Sequence, residues 1–170
     1  MWTEELESLA VKTPKHASAF SEEIAIDAPI ERVWRVLADI GSVHAWNPGV
    51  RSSRLTTHHG EGVGAARHCK LAGRRYLEEV VVDWEPLKRL TVRITATNLP
   101  FEAADVRFML RATSSGVIVS VSPRYTVRFG FLGTILEWLV VGPRYRRGMK
   151  ALLDGLKAHV ENLSAAKAGP

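Results

Sequence analysis

The spacing of the hydrophobic residues changes once along this chain, near Gly133, and this change limits the folds that the chain can adopt. Before it, segments such as KRLTVRITATN and AADVRFMLRAT alternate apolar and polar residues, which is typical of strands with one buried face. After it, apolar residues recur at helical spacing as far as Leu163. We therefore predict a sheet followed by one long helix over about residues 133–163, with a kink near Pro143.

Six segments read as strands, and two short helical segments separate the first strand from the others. The strand segments are FSEEIAID, GAARHCKL, RYLEEVVVDWE, KRLTVRITATN, AADVRFMLRAT and GVIVSVSPRYTVRF. The helical segment IERVWRVLAD follows Pro29, a residue suited to a helix start, and we expect Gly41 to end it. The second helical segment is SVHAW, and the turn residues that follow it lead into a strand. These patterns predict an α+β fold, in which a curved antiparallel sheet of six or seven strands in meander order surrounds the terminal helix.

Length and composition favour one domain, since 170 residues that are 46% hydrophobic suit a single core. We expect an N-terminal extension over residues 1–19, the domain over 20–163 and a flexible tail over 164–170. The N-terminal segment is acidic and lacks the apolar stretch of a secretory signal. No later run reaches the roughly 18 apolar residues of a membrane span. We therefore expect a cytoplasmic protein that is not integral to a membrane.

The net charge of +5 comes from arginines spread over the predicted strands and helices, and only RYRRGMK is clustered. No aromatic-interleaved RNA-binding signature accompanies them, so the pattern favours a solvated surface over a nucleic-acid interface. Cys69 is the single cysteine, which excludes an internal disulfide, and the scattered histidines have no zinc or iron–sulfur spacing. We expect no metal and no organic cofactor. The sequence leaves open whether the chain forms a homodimer.

The predicted curvature of the sheet has a consequence for the interior. A strongly curved sheet does not meet an enclosed helix everywhere, so a hollow remains between the two. A hollow of this kind is by default a ligand-binding pocket.

The order of these elements resembles the START-like, Bet v 1-like (SRPBCC) superfamily. The segments that carry the resemblance are IAIDAPIERVWRVLADIGSVHAWNP, GVGAARHCKLAG, EEVVVDWEPLKRL and the Gly-Pro-interrupted terminal helix, within about residues 20–163. Within the superfamily, the chain is most similar to the bacterial polyketide cyclase/dehydrase and lipid-transport group. The resemblance implies a helix-grip fold with a deep apolar cavity for lipids, sterols, polyketides or hormones. Some members catalyse aldol cyclisation and dehydration, and many only bind.

The resemblance also implies a position for Trp46, near the mouth of the cavity as a lid or wall residue. Simple packing at the corner between helix and strand is the alternative, since Trp is commonly buried without a ligand.

Arg67 and Glu79 form the most suggestive pair of polar residues. If the turn between their strands spans residues 72–74, the two lie opposite each other on the face that also carries Cys69 and Val81. That face is apolar and is therefore predicted to be buried. The resemblance places the same two residues in the cavity, as a basic residue after GVGA and an acid before VVVDWEP.

A carboxylate in the cavity would orient a ligand hydroxyl or carbonyl, and its guanidinium partner would lower the cost of burying it. In a catalytic role, Glu79, Arg67 and Tyr125 are the candidates for base and hydrogen-bond donor, and Tyr145 is a further candidate donor. An ion pair that only fixes the strand register is the alternative. A turn one residue shorter would place Glu78, not Glu79, on this face.

The remaining candidates are apolar residues of the buried strand faces and of the terminal helix, each of which is equally an ordinary core residue. The full set of predicted ligand-binding residues is Trp46, Arg67, Cys69, Glu79, Val81, Phe108, Leu110, Val121, Tyr125, Met149 and Leu152. The histidines are weaker candidates, because His58 and His59 lie in a glycine-containing loop and His68 is predicted to point outward.

The leading functional hypothesis is a protein that binds a lipid-like or polyketide-like molecule in its cavity. A cofactor-independent polyketide cyclase, aromatase or dehydratase is the second, and an interaction module that uses the basic terminal helix is the third. Whether the chain is an enzyme is not decided by the sequence, which favours simple ligand binding.

Overall fold

The computed structural model describes residues 18–127 and 142–167. Residues 1–17 of the predicted extension and residues 133–141 of the predicted terminal helix lie outside the described residues. Because the helix is described only from Gly142 onward, the kink near Pro143 stays a prediction.

Eight strands, two α-helices and a short 3₁₀ helix make up the described part of the chain. They are β1 Ser18–Ala19, β2 Glu22–Ile26, α1 Ile30–Ala38, the 3₁₀ helix Ile40–Ala45, β3 Val50–Leu55, β4 Ala66–Leu71, β5 Tyr76–Glu85, β6 Arg89–Thr97, β7 Phe101–Thr113, β8 Gly116–Val127 and α2 Gly142–Lys167.

The strands form one antiparallel sheet in the order β1-β8-β7-β6-β5-β4-β3, and β2 also pairs with β8. β1 and β2 follow each other along the same edge of β8, so the sheet has seven strand positions, and the predicted fold is confirmed. The first strand begins before its predicted start, since Ser18 and Ala19 pair with β8. β3 to β8 form the predicted meander.

The turn between β4 and β5 lies where the sequence placed it. The Leu71 amide donates to the Arg75 carbonyl oxygen at 2.8 Å, and the two residues between Ala72 and Arg75 have positive φ angles. Gly73, with φ 67°, adopts this conformation without a side-chain penalty.

α1 buries Val33, Trp34 and Leu37 against the sheet, as their helical spacing indicates. Gly41 does not end this helix: α1 ends at Ala38, and Gly41 lies inside the 3₁₀ helix. The glycine instead permits a close approach, because a Cβ there would lie 3.1 Å from Cγ of Leu55.

α2 lies across the concave face of the sheet and buries Leu152, Leu153, Leu156 and Val160. Its second half is tied to the end of β2, where Lys157 Nζ donates to the carbonyl oxygen of Ala25 at 2.7 Å. The helix continues to Lys167, past the predicted end at Leu163, so residues 164–167 of the predicted tail are helical, and residues 168–170 lie outside the described residues. Neither helix of the described residues is long and apolar enough to cross a membrane.

Candidate functional site

A cavity of about 710 Å³ lies between the concave face of the sheet and the first half of α2. Its wall comes from strands β3 to β7, from the 3₁₀ helix and the loop after it, and from α2, and is mostly apolar. Six of the predicted ligand-binding residues lie in this wall: Trp46, Arg67, Glu79, Phe108, Met149 and Leu152.

Arg67 and Glu79 pair directly across β4 and β5, so the predicted register is confirmed. Both are buried, at 8% and 7% exposed, and Arg67 Nε donates to Glu79 Oε2 at 2.6 Å. Glu78 lies on the opposite face, where its Oε1 is 2.6 Å from Nδ1 of His68. Glu79, and not Glu78, therefore points towards the interior.

Each partner of the ion pair has one further contact that fixes its position, and each also has an atom that can bond to a ligand. Arg67 Nη1 donates to the carbonyl oxygen of Ile40 at 3.1 Å, and the Cys69 thiol lies 3.5 Å from Glu79 Oε2. Among the described residues, no hydrogen bond reaches Glu79 Oε1 or Arg67 Nη2. A ligand in the cavity can therefore bond to a fixed carboxylate and a fixed guanidinium.

The surroundings keep Arg67 charged. Burial, the largest single effect, lowers the pKa of the Arg67 guanidinium, but the charge and hydrogen bond of Glu79 together with Cys69 outweigh it, so that this pKa is raised. Arg67 and Glu79 therefore form a charge-neutral pair within the cavity wall.

Cys69, predicted to be either a ligand-binding residue or an ordinary core residue, is a core residue. Burial, followed by the charge of Glu79, raises the pKa of its thiol to about 12, so the thiol is protonated at neutral pH. Its side chain is fully buried behind the ion pair and does not line the cavity. It packs as a small hydrophobic residue and a weak donor to Glu79.

Tyr145, not Tyr125, is the tyrosine in the cavity wall. Tyr125 is buried in an aromatic cluster, with its ring centroid 4.9 Å from that of Tyr145 and 5.6 Å from that of Phe101. Burial and the nearby Glu79 charge raise the pKa of the Tyr145 hydroxyl, so it is a neutral donor. Strand alternation along β8 correctly predicted that Tyr125 is buried. Which tyrosine ring lies in the cavity wall depends instead on how α2 crosses the sheet.

Three further predicted residues, Val81, Leu110 and Val121, are buried but lie outside the cavity wall. They belong to the main core, together with residues of α1 and the second half of α2. Strand alternation identifies the inner face of the sheet correctly, but it does not indicate which part of that face the helices cover.

Sequence reasoning missed three arginines of the cavity wall: Arg51, Arg75 and Arg144. The signal for Arg75 was present, because the predicted pairing sets it opposite Leu71 on the inner face. Arg51 had no such signal, since it sits at a register shift between Val50 and Ser52, and a bulge of this kind redirects a side chain.

The histidines of the described residues lie outside the cavity wall. His58 and His59 are exposed in their loop, and His44 Nδ1 is 2.7 Å from the Ser53 hydroxyl on the surface. In residues 18–127 and 142–167, no cluster of three or more His, Cys, Asp or Glu side chains has the arrangement of a metal site.

A curved antiparallel sheet around a C-terminal helix, with an apolar cavity between them, defines the helix-grip class of START-like and Bet v 1-like proteins. The chain belongs to the family described as "Polyketide cyclase / dehydrase and lipid transport", whose model matches residues 18–161. The resemblance seen in the sequence is thereby confirmed. Among curated proteins, none matches the chain in sequence.

Solved structures share the fold at low sequence identity. A protein from Thermus thermophilus is 20% identical with a TM-score of 0.73, covering 86% of this chain and 99% of its own. The Zhui aromatase/cyclase from Streptomyces sp. R1128 is 17% identical with a TM-score of 0.74, covering 91% and 100%. A START superfamily protein from Mycobacterium smegmatis is 14% identical with a TM-score of 0.70, covering 87% and 99%. These likenesses establish the fold alone.

Proposed function

We propose that this protein binds a hydrophobic small molecule, lipid-like or polyketide-like, in the cavity between α2 and the sheet. The observation that carries the proposal is the cavity itself. Its volume of about 710 Å³ falls in the range of small-molecule sites, and its wall is mostly apolar with few polar groups.

In this proposal, the polar groups set the orientation of the ligand. Glu79 Oε1 accepts a hydrogen bond from a ligand hydroxyl, while Arg67 and the neutral Tyr145 hydroxyl donate to a carbonyl or hydroxyl oxygen. Because Arg67 also holds Glu79 through Nε, the carboxylate loses little further entropy when it engages a ligand. The hydrocarbon part contacts Phe108, Met149 and their apolar neighbours.

The test compares two acidic neighbours on opposite faces of β5. The ligands are matched long-chain compounds with and without a hydroxyl, and the variants are Glu79→Gln and the control Glu78→Gln. Glu79→Gln should weaken binding of the hydroxylated compound about tenfold or more, since hydrogen bonds to charged groups are worth about 1.5–3 kcal/mol. Binding of the plain compound should change little, and Glu78→Gln should leave both affinities unchanged.

Two results would count against the proposal in different ways. Equal losses for both compounds in Glu79→Gln would remove the orienting role of Glu79. Absence of binding of either compound to the unmodified protein would contradict the proposed function. Melting curves of both variants establish that each is folded at the temperature of the titration.

A second candidate function, cofactor-independent cyclisation or dehydration, is favoured by one observation. Glu79 Oε1, which accepts no hydrogen bond from the described residues, belongs to the same wall as Arg67 and Tyr145. A carboxylate oxygen can take the proton next to a ligand carbonyl, and the two donors can stabilise the enolate oxygen. Ring closure of a poly-β-ketone no faster than its spontaneous rate would contradict catalysis while leaving binding in place.

A further inference from the structure

The rim of the cavity carries arginines from three separate segments of the chain. Arg51 is the second residue of β3, Arg75 follows the turn between β4 and β5, and Arg144 lies in the first turn of the described α2. All three line the cavity and are at the same time exposed, which places them where the cavity meets solvent. We call them the mouth arginines.

The segments that bring the mouth arginines to one opening are tied together by strand pairing. Val50 at the start of β3 pairs with Leu71 at the end of β4, so Arg51 and the β4–β5 turn are neighbours. The connection between β6 and β7 lies at the same end, where Asn98 Oδ1 accepts from the amide of Tyr76. α2 crosses the opening with its first turns, and Tyr145 contacts Phe101 at the start of β7.

The mouth arginines are not neutralised by the part of the chain that the structure describes. Arg51 and Arg144 form no ion pair there, and Arg75 uses its Nε to bond the carbonyl oxygen of Ala72 at 2.8 Å. The acidic residue of the cavity wall is Glu79, which Arg67 already holds deeper inside. Four arginines and one glutamate leave the described wall with an excess of three positive charges.

An excess of positive charge at the edge of an apolar cavity constrains the ligand. A guanidinium fork binds carboxylates and phosphates in a bidentate geometry, and the low-dielectric wall beside it strengthens the attraction. A fully neutral apolar ligand would provide no opposite charge for these arginines. An ion without an apolar part would make no hydrophobic contact with the cavity wall.

We propose that the ligand is an amphiphile whose anionic head group, a carboxylate or phosphate monoester, is bound by the mouth arginines while its apolar part fills the cavity. This inference rests on the proposed function and specifies the ligand class of the same site. The charge on the head group holds it at the opening, and Glu79 and Arg67 meet polar groups farther along the molecule.

The test uses three probes with one hydrocarbon chain: hexadecanoate, hexadecyl phosphate and hexadecanol. The variant R51Q/R75Q/R144Q removes the mouth arginines. The control variant R54Q/R111Q/R124Q removes the same charge from exposed arginines that do not line the cavity. Affinities are measured by calorimetric titration below the aggregation concentration of each probe, at low and high salt.

We expect the unmodified protein to bind at least one anionic probe about tenfold or more tightly than hexadecanol. This preference should fall to about twofold or less in the mouth variant, persist in the control variant, and weaken with added salt. The head group with the larger preference distinguishes a carboxylate from a phosphate ligand.

Equal affinity for hexadecanol and both anionic probes would overturn this inference and leave the proposed function standing. The same holds for an anion preference that survives in the mouth variant. Failure of all three probes to bind the unmodified protein would overturn both.

Discussion

The Arg67–Glu79 pair is the residue-level feature on which the site depends. Each partner is buried, so removal of one alone would leave an uncompensated charge in the interior, at a cost of about 3–5 kcal/mol. The sequence predicted this pair from strand alternation, an assumed turn over residues 72–74 and the family resemblance, with Glu78 as the alternative for a shorter turn, and the pairing in the structure is that of Arg67 with Glu79. It offered Tyr145 only as a further candidate donor, because the position of that ring depends on how α2 crosses the sheet.

Cys69 provides a pH-dependent test of the electrostatics at the site. Burial and the Glu79 charge raise the pKa of its thiol to about 12, whereas an unfolded cysteine titrates near 8.5. The raised pKa means that folding favours the protonated thiol. Its contribution to stability is complete below about pH 8.5 and is lost as the pH rises towards 12.

We therefore expect iodoacetamide at about pH 9 to leave Cys69 unmodified in the folded protein and to alkylate it in denaturant, since the thiolate is the reactive form. Intact mass measured over time gives both rates. Alkylation of the folded protein with a pH midpoint near 8.5 would contradict the assigned environment.

At the level of the elements, the position of α2 depends on Gly155. A Cβ at this residue would lie 2.0 Å from the carbonyl oxygen of Trp46 and 3.0 Å from Cδ of Pro48. The helix and the loop after the 3₁₀ helix are therefore in direct contact at a glycine. This contact sets how closely α2 approaches one side of the cavity, where Trp46 forms part of the wall.

Gly155→Ala should destabilise the protein by about 1–3 kcal/mol or more, because backbone atoms of the loop must move to admit the methyl group. Gly148→Ala is the matched control in the same helix, where an added Cβ would meet nothing within 4 Å. The control should stabilise the protein by about 0.5–1 kcal/mol through helix propensity. Denaturant unfolding measures both, and an equal effect of the two substitutions would show that the contact with Trp46 does not determine the position of α2.

Most strands could be predicted from the sequence, because each has one buried face and turn residues at its ends. The errors have local physical causes. Gly41 was expected to end α1 but instead allows close packing against Leu55. Arg51 was not expected in the cavity wall, because strand alternation fails at a bulge.

At the level of the whole molecule, a sheet that curves around a helix predicts a cavity but not its wall. The wall depends on which part of the concave face α1 and α2 cover, and this is decided by contacts between segments far apart in sequence. The charge distribution has the same origin. The arginines are dispersed along the sequence, but three of them lie together at the mouth of the cavity in the folded chain.

The central claim is that the space between α2 and the sheet is a site for a small molecule. Native mass spectrometry tests it most directly, applied to the purified protein before and after incubation with hexadecanoate. We expect a single bound small molecule per folded chain, which is released on denaturation. Detection of only the ligand-free mass in both samples would contradict it.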